Sequence, residues 1–116
     1  MQIPRPSEAD KERFRALVPD DPRVEVKPMF GNLGAFVNGN MFMGLFGAQI
    51  GLKLASADAA ELARIDGSGP FGPAERPMGG YVSLPPAMLE SPSAHDWVGR
   101  AIEFVAGLPP KSSGKR

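Results

Sequence analysis

The sequence predicts an α+β fold of two layers, in which helices pack on one face of an antiparallel meander sheet. One observation is an apolar stretch from Lys27 to Leu54, KPMFGNLGAFVNGNMFMGLFGAQIGLKL, which holds six glycines and is typical of short strands joined by tight turns. The other is the presence of segments with helical spacing of apolar residues on both sides of that stretch. The predicted order of elements is α-β-β-β-β-α-β-α.

The first helix is predicted near residues 7–18. Ser7 opens the pattern S-E-A-D, a capping box with Asp10 in the Glu/Gln position. Apolar residues follow at helical spacing, and the Pro-Asp-Asp-Pro run that begins at Pro19 ends the helix.

Two further helices follow the same logic. Ser56 is predicted to cap the second helix, which a Gly-Ser-Gly-Pro run from Gly67 stops. Ser93 is predicted to cap the third helix. Its apolar residues fall on one stripe, formed by Trp97, Ala101, Phe104, Val105 and Leu108. We expect this stripe to pack on the sheet.

The strands are predicted from alternation and turn residues. Alternation around Val26 indicates a first strand, which Pro28 places at a sheet edge. Leu33–Asn38 and Met41–Gly47 are predicted to form a hairpin through a type II′ turn at Gly39-Asn40. The remaining predicted strands are Ile50–Ala55, after a turn at Ala48-Gln49, and Tyr81–Leu84.

With these turns, the stretch is apolar on both faces of the sheet. One face would collect Phe36, Met43, Leu45, Leu52 and Leu54, and the other would collect Leu33, Ala35, Val37, Phe42 and Phe46. Three helices can cover only one face. The second face is therefore predicted to be an interface, with Leu33, Val37, Phe42 and Phe46 as its candidate residues. The alternatives are cover by residues 71–80 or by the long loop after Pro85, and a ligand pocket.

Composition bounds the class of protein. The 116 residues fit one domain, predicted over residues 1–110, with a disordered basic tail at 111–116. Residues 1–110 carry 10 basic and 13 acidic side chains, a net charge of −3. Since nucleic-acid affinity depends on neutralising phosphates, no strong nucleic-acid binding is expected. The absence of cysteine, a signal peptide and any membrane-length apolar run favours a cytoplasmic protein with no membrane contact.

Catalytic and metal-binding patterns are missing. His95 is the only histidine and there is no cysteine, so no metal or cofactor site is predicted. Asp96 follows His95 directly, and neighbours on a helix do not face each other. The chain is therefore predicted not to be an enzyme. The alternative is a small-molecule-binding protein or enzyme with a cleft near Lys27, Phe30, Arg76 and Tyr81.

Several pieces of the sequence together resemble the N-terminal domain of the TfoX/Sxy family. They are the 27–54 stretch, GSGPF at 67–71, RPMGGYVSLP at 76–85 and the helix that begins DWVGRAI, and the resemblance covers roughly residues 8–106. It implies the two-layer α+β fold shared with secretion chaperones. The resemblance implies no catalytic residues. TfoX is a positive regulator of bacterial competence genes, and regulators of that kind also carry a C-terminal helical domain.

Two classes of function follow. The first is an interaction or regulatory domain that acts through protein–protein contacts, as a homodimer or with another protein. The second is the small-molecule binder or enzyme with the cleft named above. A flat apolar two-fold contact would favour the first class, and a deep pocket with convergent polar groups would favour the second.

Overall fold

The structure, a computed structural model, describes residues 3–111. In that range the chain forms three α-helices, six strands and one 3₁₀ turn. In chain order they are α1 (Glu8–Leu17), β1 (Val24–Met29), β2 (Asn32–Val37), β3 (Asn40–Phe46), β4 (Gln49–Lys53), α2 (Ser56–Ala63), β5 (Gly69–Pro70), β6 (Tyr81–Ser83), the 3₁₀ turn (Pro86–Met88) and α3 (Pro92–Ala106).

The six strands form one antiparallel sheet in the order β1-β2-β3-β4-β6-β5. The α+β class and the order of the helices and main strands are confirmed; the two-residue β5 and the 3₁₀ turn are additions. β1 lies at an edge, as Pro28 predicted, because a proline has no backbone N–H to donate to a second neighbour.

Helix α1 begins with the capping box that the sequence predicts. The Ser7 hydroxyl accepts from the backbone N–H of Asp10 at 3.0 Å, and the Asp10 carboxylate accepts from the backbone N–H of Ser7 at 2.9 Å. The hydrogen bond from the Ser7 backbone holds the pKa of Asp10 below its ordinary value.

The predicted N-caps of the other two helices are wrong by one or two residues. The N-cap of α2 is Ala55, whose carbonyl accepts from the Ala59 N–H at 2.8 Å, and Ser56 is already helical. The N-cap of α3 is Ser91 rather than Ser93, and Pro92 is the first residue of the helix. Proline suits that position because its fixed φ is helical and its missing N–H would have no partner there.

The core lies between the helices and one face of the sheet. Helix α3 crosses β2, β3 and β4, with α1 against α3 and α2 against β6. Trp97 is 6% exposed, and Ala101 and Val105 of the same stripe are fully buried. The predicted α3 stripe therefore packs on the sheet, with Phe104 and Leu108 at its partly exposed margin.

The β2–β3 turn is Asn38-Gly39, not the predicted Gly39-Asn40. Both central residues have positive φ, 53° and 81°, as a type I′ turn requires. Asn-Gly is the dipeptide that tolerates this conformation best. Its preference for a type I′ turn outweighs the preference of Gly39-Asn40 for a type II′ turn.

The pairing of β2 with β3 therefore differs from the predicted register. Leu33 pairs with Leu45, and an irregularity between Ala35 and Phe36 shifts the pairing by one more residue before the turn. A shift of one residue transfers side chains to the opposite face of a sheet.

This irregularity corrects most of the predicted interface. The pairing passes from Ala35–Met43 to Phe36–Met41, so Phe42 is an extra residue in β3 and lies on the opposite face from Phe46. Leu33, Val37 and Phe42 belong to the helix-covered core, with exposures of 9%, 0% and 0%. Phe46 is partly exposed, and strand alternation from Leu45 places it on the face away from the helices. We call that face the outer face. Phe36, predicted to lie on the same face as Met43, also belongs there.

The β3–β4 turn is Gly47-Ala48 rather than Ala48-Gln49. Phe46 pairs with Gln49, and Leu45 pairs with Ile50 instead of Leu52. Gly47 has a φ of 63° at the first loop position. The predicted pairing of β3 with β4 is wrong by two residues. Because side chains alternate with a period of two, Leu45 and Leu52 still share one face, as predicted.

At the C-terminal end of the described range, the backbone N–H of Lys111 donates to the Asn38 carbonyl at 2.7 Å. The rest of the predicted disordered tail, residues 112–116, lies outside the described residues.

Candidate functional site

The centre of the outer face is built from glycine backbone and one phenylalanine ring. Gly44 and Gly51 are paired neighbours on β3 and β4, and the ring of Phe71 lies against both. Phe71 is 2% exposed, meets Phe46 edge-on at a centroid distance of 6.3 Å and contacts Tyr81 at 6.0 Å. Residues 71–80 thus fold over part of this face, which is one of the alternatives that the sequence left open.

An apolar pocket of about 320 Å³ remains beside Phe71, and we call it the outer-face pocket. It lies among the N-terminal segment, the β1–β2 turn, β3 and the 71–80 segment. Its lining residues are Ile3, Met29, Phe30, Asn32, Leu33, Met41, Gly44, Leu45, Phe46, Phe71, Pro73 and Met78. None of them carries a charge, so the pocket suits an apolar guest.

Asn32 holds one wall of this pocket in place. Its side chain donates to the Pro4 carbonyl at 3.1 Å and accepts from the Gly47 N–H at 2.8 Å. Asn32 is 4% exposed, and a buried amide that makes both bonds is stabilising rather than costly. These bonds tie the N-terminal segment to the β3–β4 turn and so place Ile3 at the pocket.

The rim of the pocket is exposed and apolar. We call Ile3, Phe30 and Met78 the rim; their exposures are 43%, 80% and 37%. Phe30 also has a φ of 50°, a left-handed conformation that is uncommon for a bulky residue. Together with Gly31, at a φ of 82°, it forms a turn of the same kind as Asn38-Gly39. A turn of this kind prefers asparagine at position 30, so the aromatic residue is unfavourable for the turn itself.

A second groove adjoins the pocket. It is lined by Ile3, Arg5, Pro6, Lys11, Phe30 and Gly31, and we call it the basic groove. The outer-face pocket and the basic groove share Ile3 and Phe30. An uncharged cavity and two cationic side chains are therefore continuous across the rim.

The four residues of the predicted cleft do not converge. Phe30 lines the outer-face pocket, whereas Lys27 lies over the ring of Phe36 at 4.7 Å. The backbone N–H of Arg76 donates to the Pro73 carbonyl in an exposed turn. Tyr81 borders the pocket only indirectly.

Tyr81 supports a wall of the pocket. Its hydroxyl donates to the carbonyl of Met41 at 2.8 Å, and its ring contacts Phe71; both partners line the pocket. Burial raises the pKa of Tyr81 to about 12. The group is therefore neutral at ordinary pH and acts as a hydrogen-bond donor within the fold.

Catalytic groups do not gather around the pocket. Its one lining residue with a polar side chain is Asn32, whose amide holds Pro4 and Gly47. Across residues 3–111, no group of three or more His, Asp or Glu side chains is placed to hold a metal ion. Within the same range, no helix has both the length and the apolar character needed to cross a membrane.

The sequence profile of the TfoX N-terminal domain matches residues 12–105, most of the 116-residue chain. The chain belongs to the TfoX N-terminal domain family. No curated protein and no solved structure gives a significant match. In this TfoX N-terminal domain, Phe30, Phe71 and Met78 lie within the matched range, whereas Ile3 and Arg5 precede it.

Several site residues of this TfoX N-terminal domain were not singled out from the sequence. Phe71 and Met78 come from a Gly- and Pro-rich segment whose path the sequence leaves open, and Asn32 looks like an ordinary turn residue. The one usable signal was Gly44 and Gly51 inside strands, because glycine there often marks a close approach of other groups.

Proposed function

We propose that this TfoX N-terminal domain is a non-enzymatic interaction domain of a regulatory protein, as in the competence regulator TfoX, and that it acts through protein–protein contacts. The observation that supports this most is Phe30, an 80% exposed aromatic side chain in a left-handed turn at the rim of an apolar pocket. Residues held in an unfavourable backbone conformation cluster at functional sites.

The rim has the physical character of a contact surface. Exposed apolar patches bordered by polar residues usually mark interaction sites, and aromatic and methionine side chains are enriched in interfaces. A partner that covers Phe30 would remove a large apolar area from water, with a gain of about 1.5–3 kcal/mol per fully buried side chain. The adjacent pocket provides room for a side chain of the partner.

The proposed partner is a second copy of this chain or another protein. Self-association is tested by analytical ultracentrifugation of the wild type and of Phe30→Asn. Asparagine keeps the turn, as Asn38 does, but removes the ring. We expect a wild-type dimer at high concentration and a shift towards monomer in Phe30→Asn.

The matched control is Val26→Ser. Val26 is also exposed, at 39%, but it lies on the edge strand β1 and not on the rim. This variant should associate like the wild type. A wild type that stays monomeric at every concentration would contradict the homodimer, and equal loss of association in both variants would contradict the assignment to the rim.

Weak nucleic-acid binding and a cytoplasmic location belong to the same proposal. They are supported by the net charge of −3 over residues 1–110 and by the absence of cysteine. At about 150 mM salt, where charges are screened beyond about 8 Å, a short DNA duplex should not shift with micromolar protein in a gel assay. A shift that survives deletion of residues 111–116 would contradict the proposal for this domain, and cell fractionation tests the location.

A further inference from the structure

The outer-face pocket has the size and lining of a small-ligand site. Its volume of about 320 Å³ lies at the lower end of the range for such sites, roughly 300–1,000 Å³. Three methionines line it: Met29, Met41 and Met78. Their unbranched side chains adapt to irregular apolar guests. A flexible hydrocarbon chain fits this lining better than a polar molecule would.

The basic groove adds charge at one end only. Arg5 and Lys11 line it, and no charged residue lines the pocket. Within the described residues Arg5 has no ion pair, and Lys11 contacts the carboxylate of Glu8 at 3.5 Å, a pair in which Glu8 is 82% exposed. An exposed pair of this kind is weak, so both cations are accessible to an anion.

Phe30 and Ile3 connect the two parts of the site. Both residues line the pocket and the groove, so a molecule that extends from one into the other passes along their side chains. The exposed ring of Phe30 would lose contact with water on such a molecule. Its strained position at the junction is then explained by a contact that the free protein does not make.

We propose that this site binds a single-chain amphiphile with a carboxylate head group, such as a medium-chain fatty acid. The hydrocarbon tail occupies the outer-face pocket, and the carboxylate lies in the basic groove beside Arg5 and Lys11. This inference goes beyond the proposed protein contact, because it assigns a small ligand to the space beneath the rim.

The ligand class is tested by isothermal titration calorimetry of the full chain with dodecanoate below its micelle concentration. Dodecanol and dodecylammonium have the same tail with a neutral or a cationic head. We expect one dodecanoate per chain, weaker binding of dodecanol, and the weakest binding of dodecylammonium. Burial of the tail should also give a negative heat-capacity change.

The head-group position is tested with the double variant Arg5→Gln/Lys11→Gln. It should weaken dodecanoate binding roughly three- to tenfold in total, because each of the two partly exposed charge contacts contributes little. The affinity for dodecanol should not change. The matched control is Arg15→Gln/Arg64→Gln, which removes the same charge from two exposed residues outside the site. This control should bind dodecanoate like the wild type.

The tail position is tested with Phe30→Asn, which should weaken both dodecanoate and dodecanol. Equal affinity of the wild type for dodecanoate and dodecanol, or equal effects of the two charge variants, would overturn the proposal. So would the absence of dodecanoate binding. Binding to phosphatidylglycerol vesicles without binding to monomeric dodecanoate would also overturn it, in favour of a membrane-surface site.

The outcome is separable from that of the proposed protein contact. Self-association of the wild type is measured without ligand, so a dimer that binds no dodecanoate overturns only the ligand. A monomer that binds dodecanoate contradicts only the homodimer.

Discussion

The ring of Phe71 lies directly on the backbone of Gly51. A Cβ atom added to Gly51 would meet the Cβ, Cγ and Cδ1 atoms of Phe71 at less than van der Waals distance. At Gly44, the neighbouring position, an added Cβ would lie 3.1 Å from the Phe71 Cζ, at the far end of the ring. The absence of a side chain at Gly51 therefore allows residues 71–80 to close over the sheet.

Gly51→Ala should displace Phe71 and destabilise the domain. The new methyl group meets the root of the Phe71 side chain, which cannot rotate away without moving the backbone. Forcing extra volume into a packed site costs about 1–3 kcal/mol. Urea denaturation followed by circular dichroism measures this loss.

Gly99→Ala is the matched control for Gly51→Ala. Gly99 lies on the exposed side of α3, and an added Cβ there would meet no atom within 4 Å. Because alanine is a better helix former, this variant should gain about 0.5–1 kcal/mol. If both substitutions stabilised the domain, Phe71 would not be packed on Gly51.

Phe30→Asn should stabilise the free domain. The left-handed conformation costs an ordinary residue about 1–2 kcal/mol, and asparagine relieves part of that cost. The reciprocal change, Asn38→Phe, places an aromatic residue in the second turn of the same kind and should destabilise by a similar amount. Thermal unfolding of both variants measures the pair. A destabilised Phe30→Asn would show that the ring supports the fold itself.

Trp97→Ala should bring the domain close to unfolding. Trp97 is 6% exposed, and its ring also carries the guanidinium of Arg100 at 4.3 Å. Truncation of a core aromatic residue costs about 3–5 kcal/mol, against a total of about 5–15 kcal/mol for a domain. Circular dichroism during thermal unfolding is the measurement. Arg100→Gln should change stability far less, and near-wild-type stability of Trp97→Ala would contradict a core role.

Tyr81 should titrate late and destabilise the domain at alkaline pH. It is the only tyrosine, so the near-ultraviolet absorbance of tyrosinate reports on it alone. Burial raises its pKa to about 12, above the ordinary value of about 10. Between these values the folded state holds a proton that the unfolded state has lost. Its contribution to stability is therefore complete below pH about 10 and is lost as the pH rises through about 12.

The control for the Tyr81 titration is Tyr81→Phe. This variant lacks the absorbance change and the hydrogen bond to the Met41 carbonyl. It should show none of the loss of stability between pH about 10 and 12 that belongs to this group. An absorbance midpoint near 10 in the wild type would show that the hydroxyl is open to solvent.

The candidate site was only partly predictable, and the pairing of β2 with β3 shows why. Moving the turn from Gly39-Asn40 to Asn38-Gly39 changes the pairing by two residues and by itself keeps the faces. The one-residue irregularity after Ala35, which leaves Phe42 without a partner on β2, is what places Val37 and Phe42 in the core. Alternation fixes which residues share a face only in a regular strand, and the irregularity in β3 separates Phe42 from Phe46. The pairing between strands depends in the same way on turn geometry and on irregularities. The extra shift after Ala35 has no local signature in the sequence.

The sequence by itself determined the α+β class, the order of the main elements, the capping box at Ser7, the edge position of β1 and the buried stripe of α3. These features depend on local periodicity, capping and proline chemistry, which nearby residues specify. Only the tertiary structure decided the register of the sheet, the position of Phe71 on Gly51 and the union of Ile3, Phe30 and Met78 at one rim. Those features join residues far apart in the chain, and their energies depend on distances that no local pattern encodes.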